Sequence, residues 1–532
     1  MDSKPRVRFA PSPTGNVHIG NIRAAIYNWL FARRNGGSFL LRIEDTDLER
    51  STPEAIQTLL EAMRWLGLDY DEEPLYQSGQ IARHRAAAEK MIRDGFASRL
   101  PAGPTLLHLD GGLLDPAFVG EPREETEIDV SKGELFVTRR GVDYVTRGSD
   151  GKEHHNPVSR DAMPGLVVRL AGGGEIPGEK LLGQPPGSAE KALAAKPAGL
   201  RFRRRYVFYH DLVLGRLEKP LDSIRDLVIL RSDQTPVFHL ANVVDDATQG
   251  VTHVLRGNDH VENTYRHLFI FRALGEKPPR YGHFPMIVNA RGKPYSKRDG
   301  DAYVGDFRAK GYLPECLFNF LALCGWGRGD GVEIMDRREM AAHFDLARVS
   351  ASPSRLNPEK LAWMNGQYLM RAAPEELLPQ VRAELAASGT AAGDIDPAWL
   401  GRLIRLEQER LKTVRDFVAN TRFFFVDRVQ LDPKAVDKAL RKNDGLGFRI
   451  LAGLLRVFRE TPAWLAGDLE KAALAYGEAQ GLKAGDLAQP ARVAVTGGLV
   501  SRGIWETLEL LGREKTLARM EQALAAQPGA QA

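Results

Sequence analysis

The sequence predicts an α/β domain built on a parallel sheet, interrupted by a long insertion and followed by an all-α C-terminal region. Three observations lead there. Strand and helix signals alternate from the start of the chain to Gly67. Residues 97–205 lose that periodicity and fill with glycine and proline. From about residue 370 onward nearly every segment is helical in pattern.

Arg6-Val7-Arg8-Phe9-Ala10 reads as a short strand, ended by Pro11-Ser12-Pro13-Thr14-Gly15. From His18 to Arg34, apolar residues fall at Ile22, Ala25, Ile26, Trp29 and Leu30, the spacing of one helix face. Gly36-Gly37 breaks that helix, and Phe39-Leu40-Leu41-Arg42-Ile43 forms a second strand leading into Glu44-Asp45-Thr46-Asp47. Ser51 with Glu54 predicts a capping box, with Pro53 in the first turn of a helix that closes near Gly67. Strand, helix, strand, helix implies parallel pairing through right-handed crossovers.

The insertion carries Gly/Pro clusters at Ala171–Gly174 and Gln184–Gly187 and ends in a basic run, Arg201, Arg203, Arg204 and Arg205. Adjacent His154 and His155 have poor geometry for sharing a metal and are expected in an exposed loop. Strand-like runs resume at Leu227–Leu230, Val237–Val244 and Val251–Leu255, and a helix through Tyr265, Leu268, Phe269 and Leu274 ends at Gly275. Late in the chain, Leu411, Val414, Phe417, Val418 and Thr421 mark a buried helix face. The opposite side carries Arg402, Arg405, Arg410, Lys412, Arg415 and Arg422, with Glu407, Glu409 and Asp416 interleaved.

A chain of 532 residues accommodates three or four domains at roughly 150 residues each. With 73 basic and 69 acidic side chains the net charge is only +4, so nucleic-acid binding requires local clustering of the basic groups. Two cysteines, Cys316 and Cys324, exclude a disulfide framework or a Cys-rich zinc site and fit a reducing cytosol. No apolar run approaches the roughly 18 residues that span a bilayer, and Met1–Arg8 lacks a signal-peptide core.

Two segments carry chemistry. The turn from Pro11 to Gly20 feeds the predicted helix N-terminus, whose unpaired N–H groups and partial positive charge suit a phosphate chain. There His18 can donate to a phosphate oxygen, and Gly20 leaves room for a flat ring against the backbone. Taken alone, His-Ile-Gly reads as a turn with a capping histidine. The second segment is the glycine-bounded loop Gly292-Lys293-Pro294-Tyr295-Ser296-Lys297-Arg298-Asp299-Gly300. Charge that builds on a phosphorus under attack is stabilised by cations and donors such as Lys297, Arg298 and Ser296. Alone it reads as a solvated basic loop.

Together, in this order on one α/β domain, the two segments resemble the signatures of class I aminoacyl-tRNA synthetases. Arg8–Gly15, Leu41–Asp47, Leu240–Asp246, Gly311–Glu315 and Lys360–Gly366 are similar to the glutamyl branch. Gln408-Glu409-Arg410 and the stretch from Gln489 to Leu524 match it as well, so the resemblance covers residues 1–96 and roughly 206–532. It implies a Rossmann-type catalytic domain in two halves, 1–96 and 223–305. It also implies an inserted tRNA acceptor-binding module at 97–222, a stem-contact domain at 306–370 and a helical anticodon-binding region at 371–532.

The same resemblance implies ATP-dependent joining of glutamate to tRNA through glutamyl-adenylate. His18 and Lys297 are then the catalytic residues, and His18, Gly20, Asn21, Ser296, Lys297 and Arg298 bind ATP. Arg8, Ala10, Ser12, Glu44, Phe238, Asn242 and Arg256 hold glutamate. Arginine pairs bidentately with a planar carboxylate, and Glu44 suits the α-amino group. Two buried arginines facing a neutral amide would reject glutamine. ATP comes with Mg²⁺ from solution. No zinc is expected, because the cysteine site of some members has no counterpart here. The implied partners are glutamate tRNA, with glutamine tRNA as an alternative second substrate. A cytoplasmic monomer without membrane contact is expected.

Departures from the family pattern are Asn21 in the first signature, Pro294 and Tyr295 in the second, Phe238 in place of a tyrosine and Asn258 in place of an acid. Rival readings are a truncated relative that modifies a tRNA base, a non-catalytic tRNA-binding paralogue and another nucleotidyltransferase. The first lacks the long C-terminal helical region found here. The second would have lost His18, Lys297 or Arg8. The third would lack the Arg8, Glu44 and Asn242 set.

Overall fold

A computed structural model describes residues 4–13, 15–47, 50–101, 103–138, 140–147, 149, 151, 153–182, 196–390 and 395–527. Thr14 and the Gln184–Gly187 cluster lie outside the described residues, as do the side chains of His154 and His155. Contacts divide the chain into two units, one of residues 1–305 with 318–356, the other of 306–317 with 357–532. Residues 306–370 are therefore shared between the two.

The first unit is organised by a seven-stranded sheet. Its opening elements are β1 (Arg6–Phe9), α1 (Ile19–Arg34), β2 (Ser38–Ile43), α2 (Pro53–Trp65), β3 (Leu75–Tyr76) and α3 (Ile81–Arg93). After the insertion follow β4 (Tyr206–Asp211), β5 (Gly215–Pro220), α4 (Phe238–Thr248), β6 (His253–Gly257), α5 (Val261–Leu274) and β7 (Arg280–Phe284). The strand order is β5-β4-β7-β6-β1-β2-β3, parallel throughout except for the β4–β5 hairpin. The hairpin extends the sheet's edge, although residues 206–222 were expected within the inserted module.

Local chemistry accounts for most boundaries. The α1 helix begins where His18 Nδ1 accepts the Gly20 N–H at 3.0 Å, and α5 ends on Gly275 at φ 77°, a left-handed cap that glycine adopts without strain. The cap of α2 is Thr52, whose Oγ1 accepts from Ala55 N, not the expected Ser51. The one-residue shift leaves Pro53 at the first helical position, where its missing N–H is harmless.

One expectation fails outright. Val237–Val244, read as a strand, is the start of α4. Its Leu240, Val243 and Val244 pack into a core shared with Met91 of α3, Phe269 of α5 and Val254 of β6. A short apolar run buried on several sides has no period that separates strand from helix. The expected strand at 251–255 forms two residues later, as β6, and Leu227–Leu230 pairs with Thr105–Leu107 in a small separate sheet.

The insertion is β-rich. Glu124–Asp129, Val167–Leu170, Glu175–Pro177 and Pro197–Arg204 form one sheet, and Glu134–Val137, Gly141–Arg147 and Glu153–Ser159 another. They enclose their own core around Val142, Val168, Leu200 and Phe202. His154 and His155 thus have strand backbones, contrary to the expected loop. The basic run is engaged within the fold: Arg201 pairs with Glu175 at 2.8 Å, Arg204 with Asp222 at 3.0 Å, and Arg203 donates to the Pro122 carbonyl.

In the second unit, every described element from residue 371 onward is helical. Leu411, Val414, Phe417 and Thr421 are buried, while Arg402, Arg405, Arg410, Lys412, Arg415 and Arg422 are exposed, as the periodicity predicts. The fully buried Arg519 donates to the carbonyls of Phe423, Val426 and Val495, tying its helix to the turn at 422–427.

Candidate active site

The strand order reverses at β1 and β6, and in such sheets ligands bind in the crevice outside the carboxyl ends of the strands. A cleft of about 440 Å³ opens there, lined by Phe9 at the end of β1, Ala10 after it, and Arg256 and Gly257 at the end of β6. Every residue expected to contact glutamate borders it: Arg8, Ala10, Ser12 and Glu44 from the N-terminal strands, Phe238, Asn242 and Arg256 from α4 and β6. His18, Gly20 and Asn21 border the same cleft.

Three of these side chains, Arg8, Glu44 and Asn242, belong to a buried polar network. Arg8 Nε donates to Asp246 Oδ1 at 3.0 Å, and Arg42 Nη1 donates to the same oxygen at 2.5 Å. Arg42 Nη2 reaches Glu44 Oε1 at 3.2 Å, and Asn242 Nδ2 donates to that oxygen at 2.8 Å. Burial pushes the Glu44 carboxyl up, and Arg42 and Arg8 pull it part of the way back. Burial acts the same way on Asp246, but there Arg42 and Arg8 outweigh it and hold the carboxyl below its ordinary value. Asn242 Oδ1 is buried without a hydrogen-bond partner, an acceptor left open beside Glu44.

Arg42 and Asp246 have no role that the sequence pattern alone points to, although both stand in the family's motifs. A signal existed for Arg42: an arginine inside the strand Ser38–Ile43, whose other residues are apolar or serine, must find a counter-charge when buried.

Arg256 is different. It is buried, yet its donors meet only neutral groups: His283 Nε2 at 3.2 Å, Thr264 Oγ1 at 2.8 Å and the His260 carbonyl at 3.3 Å. Burial, and then the charge of Arg8, draw its pKa down to about 10. A buried cation with neutral partners beside a second arginine keeps a charge that an anion would answer.

His18 is fully engaged. Its Nδ1 caps α1, so its Nε2 carries the proton and donates to the Tyr295 carbonyl at 3.1 Å. Burial lowers the imidazole pKa, opposed in part by that bond. The backbone joins the two signatures as well, through Ile19 N to Ala302 O at 2.9 Å and Val304 N to Val17 O at 3.0 Å. Ser296, Lys297 and Arg298 follow Tyr295 but do not border the cleft. Lys297 and Arg298 are exposed, and Ser296 is tied to Asp299 Oδ2 at 2.9 Å. The expected loop is a series of turns in which Asn289 and Asp299 bond at 2.7 Å.

The profile of the catalytic domain of class I tRNA synthetases (E and Q) matches residues 4–102 and 187–363, and an anticodon-binding-domain profile matches 373–524. Over 98% of both chains, 38% of residues are identical to glutamate–tRNA ligase 1 of Alkalilimnicola ehrlichii. The chain belongs to the glutamate–tRNA ligase family of class I synthetases. It is also 35% identical to the glutamate–tRNA ligase of Thermodesulfovibrio yellowstonii, over 98% of this chain and 99% of that one. In structure it is similar to a glutamate tRNA ligase from Elizabethkingia meningosepticum solved in complex with its amino acid. The TM-score is 0.73 and the identity 26%, covering 98% of this chain and 100% of that one.

The class I family uses ATP and Mg²⁺. Among the described residues no group of three or more His, Cys, Asp or Glu side chains could hold a metal ion, and no described helix is long and apolar enough to cross a membrane.

Proposed function

We propose that this protein joins glutamate to its tRNA in two steps. A glutamate α-carboxylate oxygen attacks the α-phosphorus of ATP, the bond to the leaving pyrophosphate breaks, and glutamyl-adenylate forms. A hydroxyl of the terminal ribose of the tRNA then attacks the activated carbonyl, and AMP leaves. The observation that carries this reading is the pair Arg8 and Arg256 on one cleft, Arg256 buried with neutral partners only.

In this reading the substrate side-chain carboxylate lies against Arg8 and Arg256, and the α-ammonium donates to Glu44 and to Asn242 Oδ1. Phe238, exposed at the cleft wall, supplies apolar contact where a tyrosine would add a hydroxyl. Asn21 and Gly20 at the start of α1 receive the nucleotide. His18 exchanges the Tyr295 carbonyl for a phosphate oxygen when ATP enters, and Lys297 swings in from its exposed turn with Arg298 and Ser296. The protein positions the reactants and stabilises charge, without a covalent enzyme intermediate. Bound together with ATP, Mg²⁺ from solution would neutralise phosphate charge, and no residue of this chain is assigned to hold it. Residues 97–205 and 371–532 serve the acceptor stem and the anticodon, in a cytoplasmic monomer.

The test is aminoacylation by the full chain with labelled glutamate, ATP and Mg²⁺, with glutamate and glutamine tRNAs side by side. Charging of the first alone establishes a discriminating enzyme, and charging of both extends the reading to glutamine tRNA. No charging of either by folded protein overturns it.

A further inference from the structure

Behind Arg256 lies a buried chain of groups that the steps above do not use. Arg256 and His283 are direct partners across the parallel strands β6 and β7, so their side chains leave the sheet on the same face. His283 Nε2 receives Arg256 Nε at 3.2 Å and lies 3.1 Å from Thr264 Oγ1. On its other side His283 Nδ1 donates to Asp211 Oδ2 at 2.6 Å. Asp211 Oδ1 accepts the backbone N–H groups of Val213, Leu214 and His283. The side chains of Asp211 and His283 are completely buried.

These bonds fix the imidazole's proton. A guanidinium only donates, so the nitrogen facing Arg256 must carry a lone pair; a carboxylate only accepts, so the nitrogen facing Asp211 must carry the hydrogen. Burial also draws His283 below the ordinary imidazole pKa, with Asp211 opposing in part.

The two arginines read as partners of the glutamate side chain, Arg8 and Arg256, are therefore held by opposite means. Arg8 touches a carboxylate, Asp246. Arg256 touches an imidazole, and the nearest acid in its chain of partners, Asp211, sits one group farther back. A carboxylate in contact with Arg256 would answer its charge, and a neutral ligand would then lose little against an anionic one. A neutral acceptor orients the guanidinium and leaves the charge for the ligand, so an amide there leaves a buried cation unpaired.

We propose that His283, its tautomer fixed by Asp211, is a positioning residue that aims Arg256 and preserves the preference for a side-chain carboxylate over an amide. This rests on the reading of Arg256 as a partner of the glutamate side chain.

The test uses three full-length variants, each assayed for tRNA charging with glutamate and with glutamine. D211N/H283E moves the carboxylate from position 211 into contact with Arg256 at unchanged total charge, while H283Q places an isosteric neutral acceptor there. H283Q should keep the preference for glutamate, with KM for glutamate raised several-fold and kcat little changed. D211N/H283E should lose roughly a hundredfold in kcat/KM for glutamate and at least about tenfold in the ratio of glutamate to glutamine. R256A tests the underlying reading alone: an unchanged KM for glutamate overturns that reading and this proposal with it. A raised KM in R256A, together with equal selectivity in D211N/H283E and H283Q, overturns only the role of His283. Nitrogen NMR of histidine-labelled wild-type protein needs no variant to fold. A hydrogen on Nδ1 and an Nε2 resonance that moves when glutamate is added support the proposal, and a hydrogen on Nε2 or a static Nε2 resonance overturns it.

Discussion

The Nε2 of His18 lies 3.1 Å from the carbonyl oxygen of Tyr295, 277 residues away in the chain. That bond, with the cap on Gly20, makes one imidazole both the first hydrogen-bond partner of α1 and the tie between the two signature turns. A Cβ on Gly20 would stand 3.2 Å from His18 Nδ1, so even that neighbour is constrained by the ring.

His18→Ala should therefore affect two observables. Loss of the cap should lower stability by about 1 kcal/mol, read from urea unfolding. Loss of the Nε2–H should lower kcat for charging roughly a hundredfold. His18→Asn retains a capping oxygen and should restore most of the stability with little of the rate.

Lys297 is exposed and does not border the cleft, so Lys297→Ala should leave the melting temperature unchanged. The rate of tRNA-dependent adenylate formation should fall by about 10²–10³-fold. An unchanged rate in single-turnover charging would remove Lys297 from the mechanism.

Asp246 answers two buried arginines at once. Asp246→Asn leaves Arg8 without its counter-ion and Arg42 with Glu44 alone, and should destabilise the protein by about 3–5 kcal/mol. Where the variant folds, KM for glutamate should rise, because Arg8 and, through Arg42, Glu44 lose their common anchor. Urea unfolding and initial rates at varied glutamate check both.

Histidines around the cleft set an acid limit. Burial pulls His239 and His260 down to about 4, holds His267 well below its ordinary value, and lowers His283 and His18 as well. Between the ordinary imidazole value and about 4 the unfolded chain binds more protons than the folded one, so stability rises with pH there and falls on acidification. Calorimetry across that window should show a falling melting temperature. His239→Gln, which removes one such site, should make the fall shallower.

Much of the fold was legible in local pattern. The apolar spacing after His18 is that of a helix, glycine at 275 marks its helix's end, and Val414, Phe417 and Thr421 bury one face of the helix Val414–Thr421, although Leu411 lies before it and Val418 is half-buried. Each of these depends on residues within a turn or two of one another. The same local reading placed a strand at Val237–Val244, because a β-branched apolar run buried on several sides carries no period to correct it.

The residues of the cleft were legible only through their motifs, and how they are held was not. Arg42 meets Asp246 across 204 residues because β2 and α4 converge behind the cleft. His283 meets Arg256 because β6 and β7 pair in one register and not the next. By itself the sequence determined the helices and strands whose period is local, such as those at Arg6–Phe9, Ile19–Arg34 and Ser38–Ile43, and which residue types its two signature turns carry, since neighbours in the chain decide both. Only the tertiary structure decided which arginine rests on a carboxylate and which on a neutral ring. That depends on strand order and register, and a shift of one residue in register turns a side chain to the other face of the sheet.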